Sequence, residues 1–170
     1  MINSCCKQTE VHYSNIILYS QSKLNKQQFI TKYGIQTSFL SNRTNIDIFD
    51  NKYTVICPKT MRSLLKETKC EAIVYFINST DSQQQQKATT EIETILSVQA
   101  LQNTILLIYV TNSDQQDASN ANDIKETLKL SHFKNTQKIQ CCSANDSDKE
   151  LDDGMQWLSL ILKSRQVVVQ

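Results

Sequence analysis

The chain contains very little glycine and proline. Its 170 residues include two glycines, Gly34 and Gly154, and one proline, Pro58, although glycine alone averages about 7% of residues in soluble proteins. Glycine-rich loops bind phosphate because their backbone adopts positive φ angles and brings several N–H groups close to the phosphate oxygens. Two glycines so far apart exclude a phosphate cradle of this kind.

The sequence also lacks an excess of either charge. With 18 basic and 17 acidic residues its net charge is +1, too small to attract nucleic acid, so we expect no nucleic-acid partner. No apolar run approaches the roughly 18 residues that span a bilayer, and the first 25 residues lack the apolar core of a signal peptide. We therefore expect no membrane span and a cytoplasmic location. Ile2, in place of glycine, excludes N-myristoylation.

Cysteines are present in pairs but not in metal-binding spacing. None of the six falls in a C-x-x-C motif, and two histidines accompany them, so we expect reduced thiols and no metal site. A redox or metal site built from Cys5, Cys6, Cys141 and Cys142 is the alternative. Palmitoylation of Cys5 or Cys6 is also left open.

Hydrophobic patterns predict alternating strands and helices. Continuous apolar runs, typical of strands buried on both faces of a parallel sheet, lie at residues 16–19, 72–77 and 105–110. Residues 43–49 and 53–57 alternate and predict an antiparallel hairpin turning at Asp50 and Asn51, and a last strand is predicted at residues 138–142. Helices are predicted at residues 25–32, 60–67, 82–100, 123–130 and 151–162. The tract from Gln83 to Gln86 is interpreted as the solvated start of the third helix.

The loop after the first strand occupies the place of a phosphate-binding loop. Such a loop reads G-x-x-x-x-G-K-S/T, whereas the eight residues from Ser20 to Gln27 read S-Q-S-K-L-N-K-Q. Only Lys26 matches. Ser20 and Asn25 replace the glycines, and Gln27 replaces the hydroxyl residue that would hold Mg²⁺. On these residues alone, Lys26 is interpreted as an ordinary surface lysine at the start of a helix.

Three segments of the second half resemble the Arf and Arf-like family of small GTPases. They read MRSLLKETKCEAIVYFINSTD, then TEIETILSVQALQNTILLIYVTNSDQQDASNANDIKETLKL, and IQCCSAND followed by LDDGMQWLSLIL. The resemblance covers roughly residues 15–162. It implies an α/β, three-layer small-GTPase fold with a mostly parallel six-stranded sheet, one antiparallel edge hairpin and helices on both faces.

The resemblance also implies which residues would bind nucleotide. The family's N-K-x-D motif falls on Thr111 to Asp114 and keeps only the aspartate, while its S-A loop is intact. The implied vestigial nucleotide site therefore consists of Lys26, Gln27, Asp114, Ser143 and Ala144.

The residues that the family uses for metal binding and hydrolysis are missing. Its switch threonine falls near Thr37 or Ser38, and its D-x-x-G-Q motif falls near Cys57, where the chain reads C-P-K-T-M. Without a metal ligand or a water-orienting glutamine, hydrolysis of GTP has no support. We therefore expect no catalytic residue, no metal and no cofactor, with weak binding of GTP or GDP left open.

Two hypotheses of function follow. In the first, residues 1–13 are a polar arm, residues 14–164 an Arf-like domain and residues 165–170 a tail. The domain is then a non-catalytic pseudo-GTPase that binds protein partners through Arg43 to Glu67, within a larger, cytoskeletal or ciliary, assembly. In the second, the chain is a divergent guanine-nucleotide switch with little or no GTP hydrolysis.

Overall fold

Five parallel strands and one antiparallel edge strand form a single sheet. The computed structural model describes residues 12–36, 42–144 and 147–167. In spatial order the six strands run β2-β3-β1-β4-β5-β6, and only the β2–β3 pair is antiparallel. The strands are β1 Ser14–Ser20, β2 Arg43–Ile48, β3 Asn51–Ile56, β4 Ala72–Asn78, β5 Ile105–Thr111 and β6 Gln137–Cys141. The predicted fold class is confirmed.

Helices connect the parallel strands and cover both faces of the sheet. They are α1 Gln27–Lys32, α2 Met61–Leu64, α3 Ser82–Ser97, α4 Ala121–Thr127 and α5 Ser147–Val167, with 3₁₀ turns at Leu24–Lys26 and Leu130–His132. Thr60, Asp81 and Asn120 cap α2, α3 and α4 with their side chains. No helix in the described ranges is both long and apolar enough to cross a lipid bilayer.

The sheet separates two apolar clusters. Alternate residues of the central strands pack against α1 and α5 on one face, where Phe29 and Leu158 are buried. The other alternate residues pack against α2, α3 and α4, where Leu64, Ile92 and Ile124 are buried. Both faces of the central strands are thus removed from water, which explains their uninterrupted apolar sequence.

The hairpin turn lies one residue before its predicted position. Ile48 pairs with Asn51, so the two turn residues are Phe49 and Asp50, both with positive φ, at 50° and 59°. A two-residue turn with positive φ at both positions matches the twist of the flanking strands. The prediction of Asp50 and Asn51 was wrong because Phe49 is an unusual residue in this conformation.

All five helices differ from their predicted bounds by a few residues, and α4 and α5 are the clearest cases. α4 ends at Thr127, before the predicted Leu130, because Lys129 adopts a left-handed φ of 51° that sequence patterns associate with glycine. α5 is longer than predicted and extends from Ser147 to Val167, three residues into the range assigned to a tail. Residues 1–11 of the proposed arm lie outside the described residues.

The glutamine tract is not entirely solvated, which corrects its interpretation as a solvated helix start. Gln85 is buried; its Nε2 donates to the carbonyl oxygens of Asn78 and Ser79 at 3.2 and 2.8 Å, and its Oε1 accepts from the Ser119 hydroxyl. This amide therefore joins α3 to the loops that follow β4 and β5.

The fold raises the pKa of most tyrosines of the chain. Burial is the largest cause that raises the pKa of five of the six above its usual value of 10.0, namely Tyr19, Tyr33, Tyr53, Tyr75 and Tyr109. Because the unfolded chain releases these protons at lower pH than the folded chain, their contribution to stability is complete below pH 10 and is lost as pH rises further.

We expect alkaline titration to reveal this difference. Absorbance at 295 nm, which reports tyrosinate, should rise near pH 10 for all six tyrosines in guanidinium chloride. In the native protein most of the rise should occur above pH 10, together with loss of the circular-dichroism signal. A native titration that matches the denatured one would contradict the burial described here.

Candidate functional site

The carboxyl ends of the five parallel strands lie at one end of the sheet, where the loops that follow these strands come together. In open α/β sheets, ligands bind at this end of the strands. The loop after β1 lies beside the segment after β3, because β1 and β3 are parallel neighbours. The loops after β5 and β6 likewise lie beside each other, since Ser113 N–H donates to the Cys142 carbonyl at 3.0 Å. Of the sequence-predicted site residues, Lys26 and Gln27 lie where the first loop enters α1, Asp114 follows β5, and Ser143 and Ala144 follow β6.

The loop after β1 binds its own backbone donors. Ser22 N–H donates to the hydroxyl of Ser20, and Leu24 N–H donates to the hydroxyl of Ser22, both at 3.3 Å. The chain then forms the 3₁₀ turn Leu24–Lys26 and enters α1. In a phosphate-binding loop such N–H groups point at the ligand. Two of them are used here within the loop itself.

Side-chain amides fasten this loop to α3 and β4. Gln21 Nε2 donates to the Gln84 carbonyl at 3.2 Å and to the Tyr75 hydroxyl at 3.3 Å, and Asn25 Nδ2 donates to Gln84 Oε1 at 3.0 Å. Sequence reasoning did not identify Gln84 as a site residue. The available signal was the number of long amides both in the loop and in the glutamine tract.

Lys26 is half-buried beside the start of α1. Burial lowers the pKa of its ammonium group, the nearby Cys57 thiol opposes this effect, and Lys23 adds to it. Within the described residues no acidic side chain forms an ion pair with Lys26. The lysine is retained at its expected position, and the ionisable groups that shift its pKa are Cys57 and Lys23.

Groups for a metal ion are missing from the part of the chain that the structure describes. Gln27 Nε2 donates to Thr31 Oγ1 at 3.3 Å along its own helix. In the segment after β3, Cys57 is buried, while Thr60 and Ser63 cap α2 reciprocally. No group of three His, Cys, Asp or Glu side chains converges in these ranges. Thr37 and Ser38, the expected switch hydroxyls, lie outside the described residues.

Two of the predicted base-recognition groups bind each other. Ala144 N–H donates to Asp114 Oδ1 at 2.7 Å. In the resemblance, this N–H and this carboxylate would both contact guanine, so a base must displace their mutual hydrogen bond before it can bind. The structure therefore brings Asp114 and Ala144 together, but as partners of each other.

Further contacts hold the same loop against α1 and α5. Ser143 N–H donates to Glu150 Oε2 at 2.7 Å, and Gln28 Nε2 donates to the Ala144 carbonyl at 3.2 Å. A second link joins α1 to α5, because Lys32 Nζ lies 3.0 Å from Asp152 Oδ2. Gln28 and Lys32 were absent from the sequence-based site, since neither belongs to a motif.

The cysteines of the described residues are poorly suited to redox chemistry. Burial raises the pKa of Cys70 and of Cys142 to about 12, and Cys141 is shifted in the same direction. Because the thiolate is the reactive form, these side chains are nearly inert at neutral pH. This argues against the redox alternative at Cys141 and Cys142, while Cys5 and Cys6 lie outside the described residues.

Comparison with known proteins identifies the family. Residues 21–162 match the model of the Arf family, described as the ADP-ribosylation factor family. The chain belongs to the ADP-ribosylation factor family. This confirms the resemblance to the Arf and Arf-like family of small GTPases that was inferred from the sequence.

Its curated relatives are distant and match over part of their length. ADP-ribosylation factor-like protein 1 of Saccharomyces cerevisiae is 25% identical over 96 residues, 56% of this chain and 52% of the yeast protein. ADP-ribosylation factor-like protein 3 of Chlamydomonas reinhardtii is 29% identical over 89 residues, 52% of this chain and 50% of the algal protein. The matched region thus spans about half the length of these Arf relatives.

A solved small GTPase shares the fold more completely. The Arl6 (BBS3) small GTPase of Trypanosoma brucei, solved with the nucleotide analogue GppNp, superposes with a TM-score of 0.72 at 15% identity. The match covers 90% of this chain and 99% of that one. At this identity the comparison establishes the Arf-like fold and leaves the nucleotide site to be judged on its own residues.

Proposed function

We propose that this Arf-family protein is a non-catalytic pseudo-GTPase that serves as a protein-interaction subunit of a larger assembly. The observation that carries the proposal is the loop after β1, whose Ser22 and Leu24 N–H groups are bound by serine hydroxyls of the same loop. A triphosphate would have to replace these bonds and also approach a backbone with a side chain at every position. The mutual bond between Asp114 and Ala144 adds a second obstacle, at the base.

Loss of hydrolysis follows from the same groups. Phosphoryl transfer needs positioning of the attacking water and neutralisation of charge on the β- and γ-phosphates, mostly by Mg²⁺. Lys26 is the one group retained from the expected phosphate loop, and one lysine does not supply these functions. The proposed function therefore includes no hydrolysis of GTP.

The proposed partner surface extends from Arg43 to Glu67 and contains two ion pairs of its own. Arg43 Nη2 lies 2.6 Å from Glu67 Oε2 and joins β2 to the segment after α2. Lys52 Nζ lies 2.7 Å from Asp47 Oδ2 across the hairpin. In proteins that switch, ligand binding selects one conformation of such segments; here side-chain pairs of the protein support one. We propose that this surface binds a protein partner in a cytoplasmic, cytoskeletal or ciliary-axoneme assembly.

Equilibrium binding of a fluorescent guanine nucleotide tests the proposal. The purified chain, titrated against mant-GDP and mant-GTP with Mg²⁺, is expected to show no saturable binding tighter than about 100 μM, because micromolar affinity requires about 8 kcal/mol of binding free energy. Phosphate release from GTP should equal that of buffer. Micromolar binding that is abolished by Asp114→Ala would instead establish a nucleotide-operated switch.

A further inference from the structure

The sheet ends on one side in β6, whose outer edge is unpaired. Thr136 O accepts from Leu106 N–H at 2.9 Å, and Cys142 N–H donates to Val110 O at 2.8 Å. Since the groups of alternate residues in a parallel strand face opposite edges, the N–H and C=O groups of Gln137 and Ile139 face away from β5. Neither residue has a backbone partner on that side within the described ranges. This edge can accept another strand.

A groove beside this edge has a partly apolar lining. The groove, of about 220 Å³, lies between β6 and α4 and is lined by Gln137, Leu130, Ile139, Ala121 and Lys125, among others. Gln137 Nε2 donates to the Leu130 carbonyl at 2.8 Å, which fixes this side chain beside the groove. The groove therefore favours an occupant whose apolar side chains can contact Leu130 and Ile139.

Charge around the groove selects the chemistry of the occupant. Residues 125–138 contain four lysines, Lys125, Lys129, Lys134 and Lys138, against one acidic residue, Glu126. Lys125 is exposed beside the groove and forms no ion pair in the described residues. Lys138 lies on the other face of β6, with Nζ 5.9 Å from the centre of the Trp157 ring. A strand added here would therefore have a lysine on each of its faces.

We propose that the free edge of β6 and the groove beside α4 bind an extended acidic peptide segment of a partner protein as an added strand. Backbone groups of Gln137 and Ile139 pair with the peptide backbone, an arrangement known as β-augmentation. Apolar side chains contact Leu130 and Ile139, and carboxylates on the two faces of the added strand face Lys125 and Lys138. A second copy of this chain is disfavoured as the occupant because two such basic edges repel each other.

This surface is independent of the proposed partner surface. β2 and β6 are the opposite edge strands of the sheet. Binding of a peptide at β6 does not require that the chain binds or lacks a nucleotide. A positive nucleotide-binding result would overturn the proposed function and leave this inference intact. The two sites together would let one domain connect two proteins.

An NMR titration with a defined peptide tests the inference. The probe is an eight-residue peptide with blocked ends and the sequence EVVEEVVE, added to the ¹⁵N-labelled full chain. In an extended strand this sequence places two glutamates and two valines on each face. Saturable amide shifts are expected at Gln137, Ile139 and Lys125. Lys125→Glu should weaken binding about fivefold, as expected when an attractive exposed charge pair becomes repulsive. Lys69→Glu, at an exposed lysine outside both the groove and the range from Arg43 to Glu67, should change the affinity less than twofold.

Two altered peptides separate strand addition from simple charge attraction. A valine–lysine peptide should not bind, and a valine–glutamate peptide methylated on every backbone amide should bind at least tenfold more weakly, because its N–H donors are gone. Shifts that are absent at millimolar peptide, that lie elsewhere, or that persist with either altered peptide would overturn the proposal. Sedimentation that shows a dimer, together with concentration-dependent NMR shifts of the same amides, would overturn it in favour of self-association.

Discussion

Restoring the loop after β1 is expected to raise the affinity for GDP about 100-fold. The variant carries Ser20→Gly, Asn25→Gly and Gln27→Thr and keeps Lys26. Removing the Ser20 hydroxyl releases Ser22 N–H, and removing the Asn25 amide breaks the link to Gln84. A hydrogen bond to a charged phosphate contributes about 1.5–3 kcal/mol, so the one donor that is released, Ser22 N–H, supplies roughly the 2.7 kcal/mol that a 100-fold change requires.

The measurement is a mant-GDP titration of the variant beside the wild-type chain. Adding Lys26→Ala to the triple variant should return the affinity to the wild-type level, because the ammonium group then no longer faces the phosphates. Thermal unfolding of all three proteins controls for the flexibility that two added glycines introduce. Equal affinity of a folded triple variant and the wild type would show that the altered loop is not what prevents nucleotide binding.

Gly154→Ala should destabilise the fold by about 2 kcal/mol. Gly154 is buried in α5, and a Cβ at this position would lie 2.3 Å from the Tyr109 hydroxyl oxygen and 2.6 Å from Cζ. The Tyr109 ring cannot easily move, because it is fully buried and its hydroxyl donates to the Leu151 carbonyl at 2.6 Å. Overpacking costs about 1–3 kcal/mol, or occasionally more, and exceeds the gain of about 1 kcal/mol in helix propensity.

Urea unfolding followed by circular dichroism measures this effect. Asp153→Ala, at the exposed preceding position of the same helix, is the matched control and should change the free energy of unfolding by less than about 0.5 kcal/mol. In a Tyr109→Phe background, Gly154→Ala should cost less than in the wild type, because the nearest clashing atom is absent. An additive double variant would contradict close contact between the two residues.

The central strands were predictable because strands buried on both faces are apolar at consecutive positions. Residues 72–77 and 105–110 are apolar without interruption, and both ranges lie within parallel central strands. Asp81 is of a residue type that commonly caps helices, and its side chain accepts from Gln84 N–H at 2.9 Å. Such signals are local, so one segment of chain contains all that is needed to read them.

Backbone conformations that usually need glycine were not predictable in this chain. Lys129 ends α4 with a φ of 51°, and Phe49 takes a positive φ in the hairpin turn. Both residues are poor at this conformation by themselves, and surrounding contacts must support them. The scarcity of glycine, which was informative about phosphate binding, thus also removed the usual markers of turns and helix ends.

Sequence alone determined the order of strands and helices, the Arf-like resemblance, and the replacement of the glycines and the hydroxyl residue of the phosphate loop. Tertiary structure decided what the retained groups contact: Ala144 binds Asp114, Gln84 accepts from Gln21 and Asn25, and Lys26 is half-buried near Cys57. Motif spacing records which residue types are present along the chain. Hydrogen-bond partners depend on which loops the sheet brings together, and that arrangement is set by contacts between residues 30 or more positions apart.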